Sequence, residues 1–248
     1  MAEGDGGRID RGGGILDACE ATATAELGEP ICLTRAGSIE VKVALPDGAP
    51  QGIAVFLHGD TANAWLDDFG YEYLIEATRG ANLVLVAALA PNRCSWWRAP
   101  DECDFEVEDS DGVNAAALAE ALGLLAAELD IEGTPVRYVG YSGGSTFLTG
   151  HFLPLFGDAF PGPMVANCGG EVPIYDFTWD IDDDATRSAL PITFTFGSLD
   201  FMTEFIEPAV RQLSGLEFAV TRTEIQGADH CDAGVDWDAI TLQAWGLQ

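Results

Sequence analysis

The sequence predicts an α/β fold, a mostly parallel central sheet flanked by helices, and three observations carry that expectation. Short apolar runs rich in Val, Ile, Leu and Phe recur along the chain, stretches with helical character separate them, and a Gly-x-Ser-x-Gly turn stands where one run gives way to a helix. Strands that alternate with helical stretches build βαβ units, in which helices cover both faces of a parallel sheet.

The elements follow in order. Ser38–Leu45 alternates polar and apolar residues, as a half-exposed strand does. Gly52–Leu57 (GIAVFL) is apolar throughout, which suits a strand buried on both faces. Trp65–Thr78 reads as one helix, stopped by Gly80, and Asn82–Ala87 (NLVLVA) as a second buried strand. A Cys- and Trp-rich loop from Pro91 to Glu108 precedes an Ala- and Leu-rich helix over Asp111–Leu129. Pro135–Gly140 (PVRYVG) reads as a strand and Ser142–Leu155 as the helix it feeds. Further strands are expected at Pro163–Asn167, Pro191–Phe196 and Glu217–Ile225, with helices near Thr203–Leu213 and Val235–Trp245. Gly169–Leu190 has no clear assignment and is too short for a large cap domain. A single domain over residues 15–248 is expected, behind a Gly- and Asp-rich, flexible start over 1–14.

Forty-one acids face eleven bases, Lys42 is the only lysine, and the net charge is −30. Such a surface repels phosphate, which disfavours nucleic acid and anionic membranes, so neither is expected as a partner. A salt-adapted source explains the acidity, with plain solubility as the alternative. No apolar run reaches the roughly 20 residues of a membrane span. The six cysteines are Cys19, Cys32, Cys94, Cys103, Cys168 and Cys231. None has zinc-ligand spacing, so no metal site is expected. Cys19 with Cys32 and Cys94 with Cys103 are the expected disulfides; Cys168 and Cys231 are left open, and six reduced thiols are the alternative. Disulfides imply an oxidising compartment, hence secretion, and Met1-Ala2-Glu3 reads as an initiator methionine on an already trimmed mature chain.

Gly140-Tyr141-Ser142-Gly143-Gly144 follows one strand and opens a helix, the setting in which this motif presents a nucleophilic serine. Glycines two before and two after Ser142 let strand and helix close up, and the helix N-terminus favours developing negative charge. A serine hydroxyl needs a base, and the chain has three histidines. His58 ends a buried strand, and His151 lies nine residues after Ser142 on the same helix. His230, in Gly227-Ala228-Asp229-His230 beyond the last strand, is therefore the expected base. Asp200, just past the strand PITFTF, is the expected acid; Asp176 and Asp180–Asp184 have no strand before them. The oxyanion donors are expected to be the N–H groups of Gly143 and of Asp60, with Thr61 next in line, from the loop Leu57-His58-Gly59-Asp60-Thr61.

LHGD, GYSGG, GSLD and GADH, in that order, resemble the α/β-hydrolase superfamily across essentially the whole chain. Within it the chain is similar to the secreted polyhydroxybutyrate depolymerase and feruloyl esterase group. The L-H-G loop, Cys94-Ser95-Trp96-Trp97 after the next strand, and Asp111-Gly112-Val113 carry that likeness. It implies a cofactor-free carboxylic ester hydrolase working through an acyl-enzyme on polyester or bulky aryl esters. A peptidase or amidase with the same triad is the alternative, and a non-catalytic protein on the same fold a further one. Without a cap the site is expected to be shallow and open, and the protein a monomer. Trp96, Trp97, Trp65 and Tyr141 are candidates for an aromatic substrate floor, or equally for core packing.

Overall fold

The two continuous apolar runs form the centre of the sheet. Gly52–Leu57 is strand β4 and Leu83–Ala88 is β5, and every residue of both is buried. In β4, Ile53, Val55 and Leu57 enter one core while Ala54 and Phe56 enter the other, as the two-residue period of a strand requires. A sequence without polar alternation is what a strand with no wet face needs.

The computed structural model describes residues 14–23, 30–100 and 107–247. The other strands are β1 (Glu20–Ala23), β2 (Pro30–Ala36), β3 (Ile39–Ala44), β6 (Val136–Tyr141), β7 (Met164–Asn167), β8 (Pro191–Gly197) and β9 (Ala219–Ile225). All nine join one sheet in the order β1-β2-β3-β5-β4-β6-β7-β8-β9. The first three and the β3–β5 pairing are antiparallel, and β5 through β9 run parallel. The register sets Leu57 opposite Gly140, so the loop after β4 and the turn after β6 emerge side by side.

Helices cover both faces. On one lie α3 (Val113–Leu129), α4 (Gly143–Phe147), a π-helical turn (Leu148–Phe152), α5 (Leu153–Phe156) and α7 (Thr203–Gly215), which contribute Leu118, Leu122, Phe147, Phe152, Leu153 and Ile206. On the other lie α1 (Asn63–Leu66), α2 (Glu72–Gly80) and α8 (Trp237–Trp245), with Trp65, Leu74, Ile75 and Trp245. The unassigned stretch before β8 holds only the short helix α6 (Asp184–Ser188). No helix among the described residues is long and apolar enough to cross a membrane.

The strand expected to be half-exposed, β3, is instead buried at every residue but Glu40, and the structure corrects two further expectations about where elements lie. Trp65–Thr78 is two helices, broken at Asp68 and Gly70, which take φ of 58° and 86°. Lys42, buried under the break, accounts for it: its ammonium donates to the Trp65 carbonyl (2.5 Å) and to the Asp68 carboxylate. It also lies 4.2 Å over the Trp65 ring. A buried charge demands such partners, and a continuous helix would have consumed that carbonyl. The second correction is the β1–β2 edge, where no strand was expected; the expected Cys19–Cys32 disulfide joins the residue before β1 to the body of β2. The expected partner of Cys94, Cys103, lies outside the described residues.

Candidate active site

Ser142 occupies the sharp turn between β6 and α4 with φ of 51° and ψ of −116°, a conformation that costs a non-glycine residue energy. Close packing enforces it. A Cβ on Gly140 would lie 2.6 Å from both the Gly144 carbonyl carbon and the Ser145 nitrogen, and one on Gly144 would lie 2.7 Å from the His58 oxygen. Strand, helix and the loop after β4 thus touch backbone to backbone. The Ser142 N–H is anchored to the Asn167 carbonyl at 3.0 Å, at the end of β7.

The other two polar groups arrive from the C-terminal ends of neighbouring strands. His230 Nε2 lies 2.9 Å from Ser142 Oγ, and His230 Nδ1 lies 2.8 Å from Asp200 Oδ1. Because the carboxylate accepts, Nδ1 carries the hydrogen and Nε2 is left to accept from the serine hydroxyl. Asp200 is buried, and its Oδ1 also accepts the Met202 N–H at 2.8 Å. The three residues named from sequence are therefore joined in one hydrogen-bonded chain. The remaining histidines stand elsewhere. His58 donates from Nδ1 to the Gly59 carbonyl (2.7 Å) and accepts the Ala90 N–H at Nε2 (3.1 Å). Burial lowers its pKa to about 4, so it is a neutral clip between the ends of β4 and β5. His151 is buried between Phe147 and Tyr175, with a pKa lowered to about 4 by desolvation and by the Arg98 charge.

The loop after β4 faces Ser142. A Cβ on Gly59 would lie 3.4 Å from the Ser142 Cβ. Thr61 and Ala62 both take positive φ (72° and 56°), so the loop holds strain beside the serine, as functional turns often do. Asp60 is fixed there by its side chain: Oδ1 accepts Ser95 Oγ–H at 2.7 Å and Trp97 Nε1–H at 3.0 Å. It reaches the Cα face of Gly143, where any Cβ would overlap it. Gly143 opens α4, so its N–H belongs to the first turn, whose donors have no acceptor within the helix.

A cavity of about 580 Å³ opens beside Ser142. This replaces the shallow site expected from the lack of a cap: helix α1, the Phe69 turn and the loop before α8 form its walls. Phe56, Phe69, Tyr73, Tyr141 and Trp237 make it largely aromatic, and its charged residues are Asp60, Asp236 and Asp238, with no lysine or arginine among the described lining. Tyr141 donates to Asp238 (3.4 Å), whose pKa burial and the neighbouring Asp236 raise to about 6. The expected tryptophan floor is corrected. Trp96 is fully buried against His58 and Phe147, and Trp65 is buried with its indole N–H on the Ala87 carbonyl, so neither presents a face to a ligand. Trp97 is half-buried, holding Asp60 with its edge while Arg98 stacks on its ring at 3.3 Å. Phe201, not singled out from sequence, lies 4.4 Å centroid to centroid over His230 and is 65% exposed. Phe69, Tyr73, Phe201 and Phe205 are the exposed aromatics among the described residues; two line the cavity and Phe201 lies on the histidine. Sequence reasoning missed them because nothing local in the sequence separates these exposed rings from the buried ones; only packing does.

A second disulfide joins Cys231, next to His230, to Cys168 beyond β7. Among the described residues no group of His, Cys, Asp and Glu is placed to hold a metal ion.

No protein-family model and no curated protein matches the sequence. Solved structures do. A carboxylesterase from Mesorhizobium loti superposes with a TM-score of 0.63 at 17% identity, over 87% of this chain and 98% of that one. The Bacillus cereus carboxylesterase gives 0.64 at 14%, over 85% and 95%. A dienelactone hydrolase from Anabaena variabilis gives 0.56 at 19%, over 93% and 97%. The chain has the α/β-hydrolase fold.

Proposed function

We propose that this protein is a serine-dependent carboxylic ester hydrolase that takes uncharged esters bearing apolar or aryl groups. The observation that carries the reading is the hydrogen-bonded chain from Ser142 Oγ through His230 to Asp200. Ser142 Oγ attacks the ester carbonyl while its proton passes to His230 Nε2. The tetrahedral oxyanion is held by the N–H groups of Gly143 and Asp60, and α4 directs its N-terminus at the same point. Collapse expels the alcohol, which takes the proton back from His230. Water, deprotonated by the same nitrogen, then releases the acid and restores Ser142. Asp200 keeps the imidazole in the tautomer the attack requires and stabilises its charged form.

The substrate class follows from the surroundings. Aromatic walls and the exposed Phe69, Tyr73 and Phe201 favour apolar or aryl groups, while carboxylates on the cavity wall oppose an anionic substrate. Polyester chains and feruloyl-type esters fit that description. The disulfides accord with secretion, and the acidic surface with work in concentrated salt. The test is a panel of p-nitrophenyl esters, a feruloyl ester, a hydroxybutyrate oligomer, a succinyl half-ester and a peptide amide. Turnover of the neutral esters with rejection of the half-ester is expected; turnover confined to the amide would refute the reading.

A further inference from the structure

The loop between β9 and α8 carries His230; its start is pinned by the Gly227 N–H on Ser198 Oγ and the Leu199 N–H on the Ala228 carbonyl, both 2.9 Å, but beyond Asp229 little holds it. Of residues 226 to 236 only Ala228 is buried. The hydrogen bonds of residues 229 to 236 stay within the loop or reach its own helix, His230's side chain excepted: the Gly234 N–H reaches Asp232 Oδ1 at 2.8 Å and Trp237 Nε1 the Asp232 carbonyl at 2.9 Å. Segments with few buried contacts open at low cost. One covalent link crosses from this loop to the sheet, Cys231 to Cys168, with Cα atoms 5.2 Å apart.

The far end of that link is the same segment that seats the serine. Asn167, one residue before Cys168, accepts the Ser142 N–H at 3.0 Å and Ser145 Oγ–H at 2.8 Å through its carbonyl. Cys168 itself donates to the Thr195 carbonyl at 2.7 Å in the middle of the parallel sheet. Gly169 packs so closely on the Ser142 backbone that a Cβ there would overlap its carbonyl. Both half-cystines take φ of 45°, a region that a non-glycine residue leaves when nothing holds it. At the other end, Cys231 Sγ lies 3.8 Å from His230 Nε2.

Resting on the proposed serine hydrolase reading, we infer that the Cys168–Cys231 disulfide is a positioning device. It clamps the base to the strand end that seats the nucleophile, and so keeps Nε2 within reach of Oγ. The Cys19–Cys32 disulfide, at the far edge of the sheet, has no such task.

The test compares two double variants, Cys168→Ala with Cys231→Ala and Cys19→Ala with Cys32→Ala, on p-nitrophenyl butyrate. Loss of the Cys168–Cys231 link should lower kcat by about 10- to 100-fold, the penalty for a misplacement near 1 Å. KM should rise only a few-fold, since Cys231 and the loop after it form one wall of the cavity while the other walls stay, so kcat carries the larger loss. Labelling of Ser142 by a fluorophosphonate, which needs the same base, should slow in parallel. The Cys19–Cys32 variant should keep kcat. Should the first variant fail to fold, a water-soluble phosphine on the folded protein serves instead: it takes water's oxygen as phosphine oxide and leaves two thiols. Activity should then fall in proportion to the Cys168–Cys231 bridges that mass spectrometry finds opened. Unchanged kcat with the bridge absent or opened would overturn this inference alone. A wild-type protein that neither turns over esters nor labels at Ser142 would overturn the reading beneath it.

Discussion

Replacement of Gly140 by alanine tests the packing that shapes the serine turn. The new methyl carbon would stand 2.6 Å from the Gly144 carbonyl carbon, 2.6 Å from the Ser145 nitrogen and 2.7 Å from the Gly144 oxygen. All three are backbone atoms, so no side chain can rotate away. Neither partner is free to move: β6 is paired on both edges, to β4 and β7, and α4 is buried throughout. Overpacking costs about 1–3 kcal/mol where side chains can adjust; here the upper end, about 3 kcal/mol, is expected. With a Tm sensitivity of about 2–4 °C per kcal/mol for a chain of this size, melting should drop by about 6–12 °C. In urea the midpoint should fall by about 1 M or more with the slope unchanged. Gly80→Ala is the control. It ends α2 in open space, with nothing within 4 Å of the added carbon, so it should stabilise by about 0.5–1 kcal/mol. Gly140→Ala within about 1 kcal/mol of wild type would refute the argument that backbone contact sets this turn.

Further outcomes are open to measurement. Asp200→Asn should cut ester turnover by up to about 10⁴-fold by favouring the wrong imidazole tautomer, whereas Asp176→Asn should change it little. His151→Phe should gain on wild type as pH falls. The buried imidazole has a pKa near 4, against 6.5 when unfolded, so the unfolded chain takes up the proton first. The stability held above pH 6.5 is thus lost down to pH 4, by roughly 3 kcal/mol at about 1.36 kcal/mol per unit. Comparing urea unfolding of the two proteins at pH 7 and pH 4 cancels the other titrations, and a constant difference would contradict the assignment. Molar NaCl should raise Tm by several degrees, because screening shrinks the Debye length from ~30 Å at 0.01 M to ~3 Å at 1 M and relieves the self-repulsion of a −30 chain. A Tm that stays flat or falls would end the salt-adaptation reading.

Much of this architecture was legible because its signals are local. GIAVFL is β4 to the residue, since a strand with two dry faces leaves no other pattern. The Gly140–Gly144 turn was readable because only glycine survives where backbone meets backbone. Strand ends and chain order, with only three histidines to choose among, then placed Asp200 and His230 near Ser142. What failed depends on contacts distant in sequence. The break at Asp68 comes from Lys42, 26 residues away. Trp96 and Trp65 are as aromatic as Trp97, and only the packing of His58, Phe147 and Ala87 separates core from rim. The cavity arises where α1 and the loop before α8 meet, which no periodicity encodes. The Cys168–Cys231 pairing spans 63 residues and depends on the parallel order of the strands between.

The central claim is that Ser142 is a nucleophile driven by His230. Treatment of the folded protein with a fluorophosphonate, followed by digestion and mass spectrometry, tests it most directly. The account requires one adduct, on the Ser142 peptide, formed in step with loss of ester turnover and abolished in His230→Ala. Labelling on another serine, or undiminished labelling of Ser142 in His230→Ala, would contradict it.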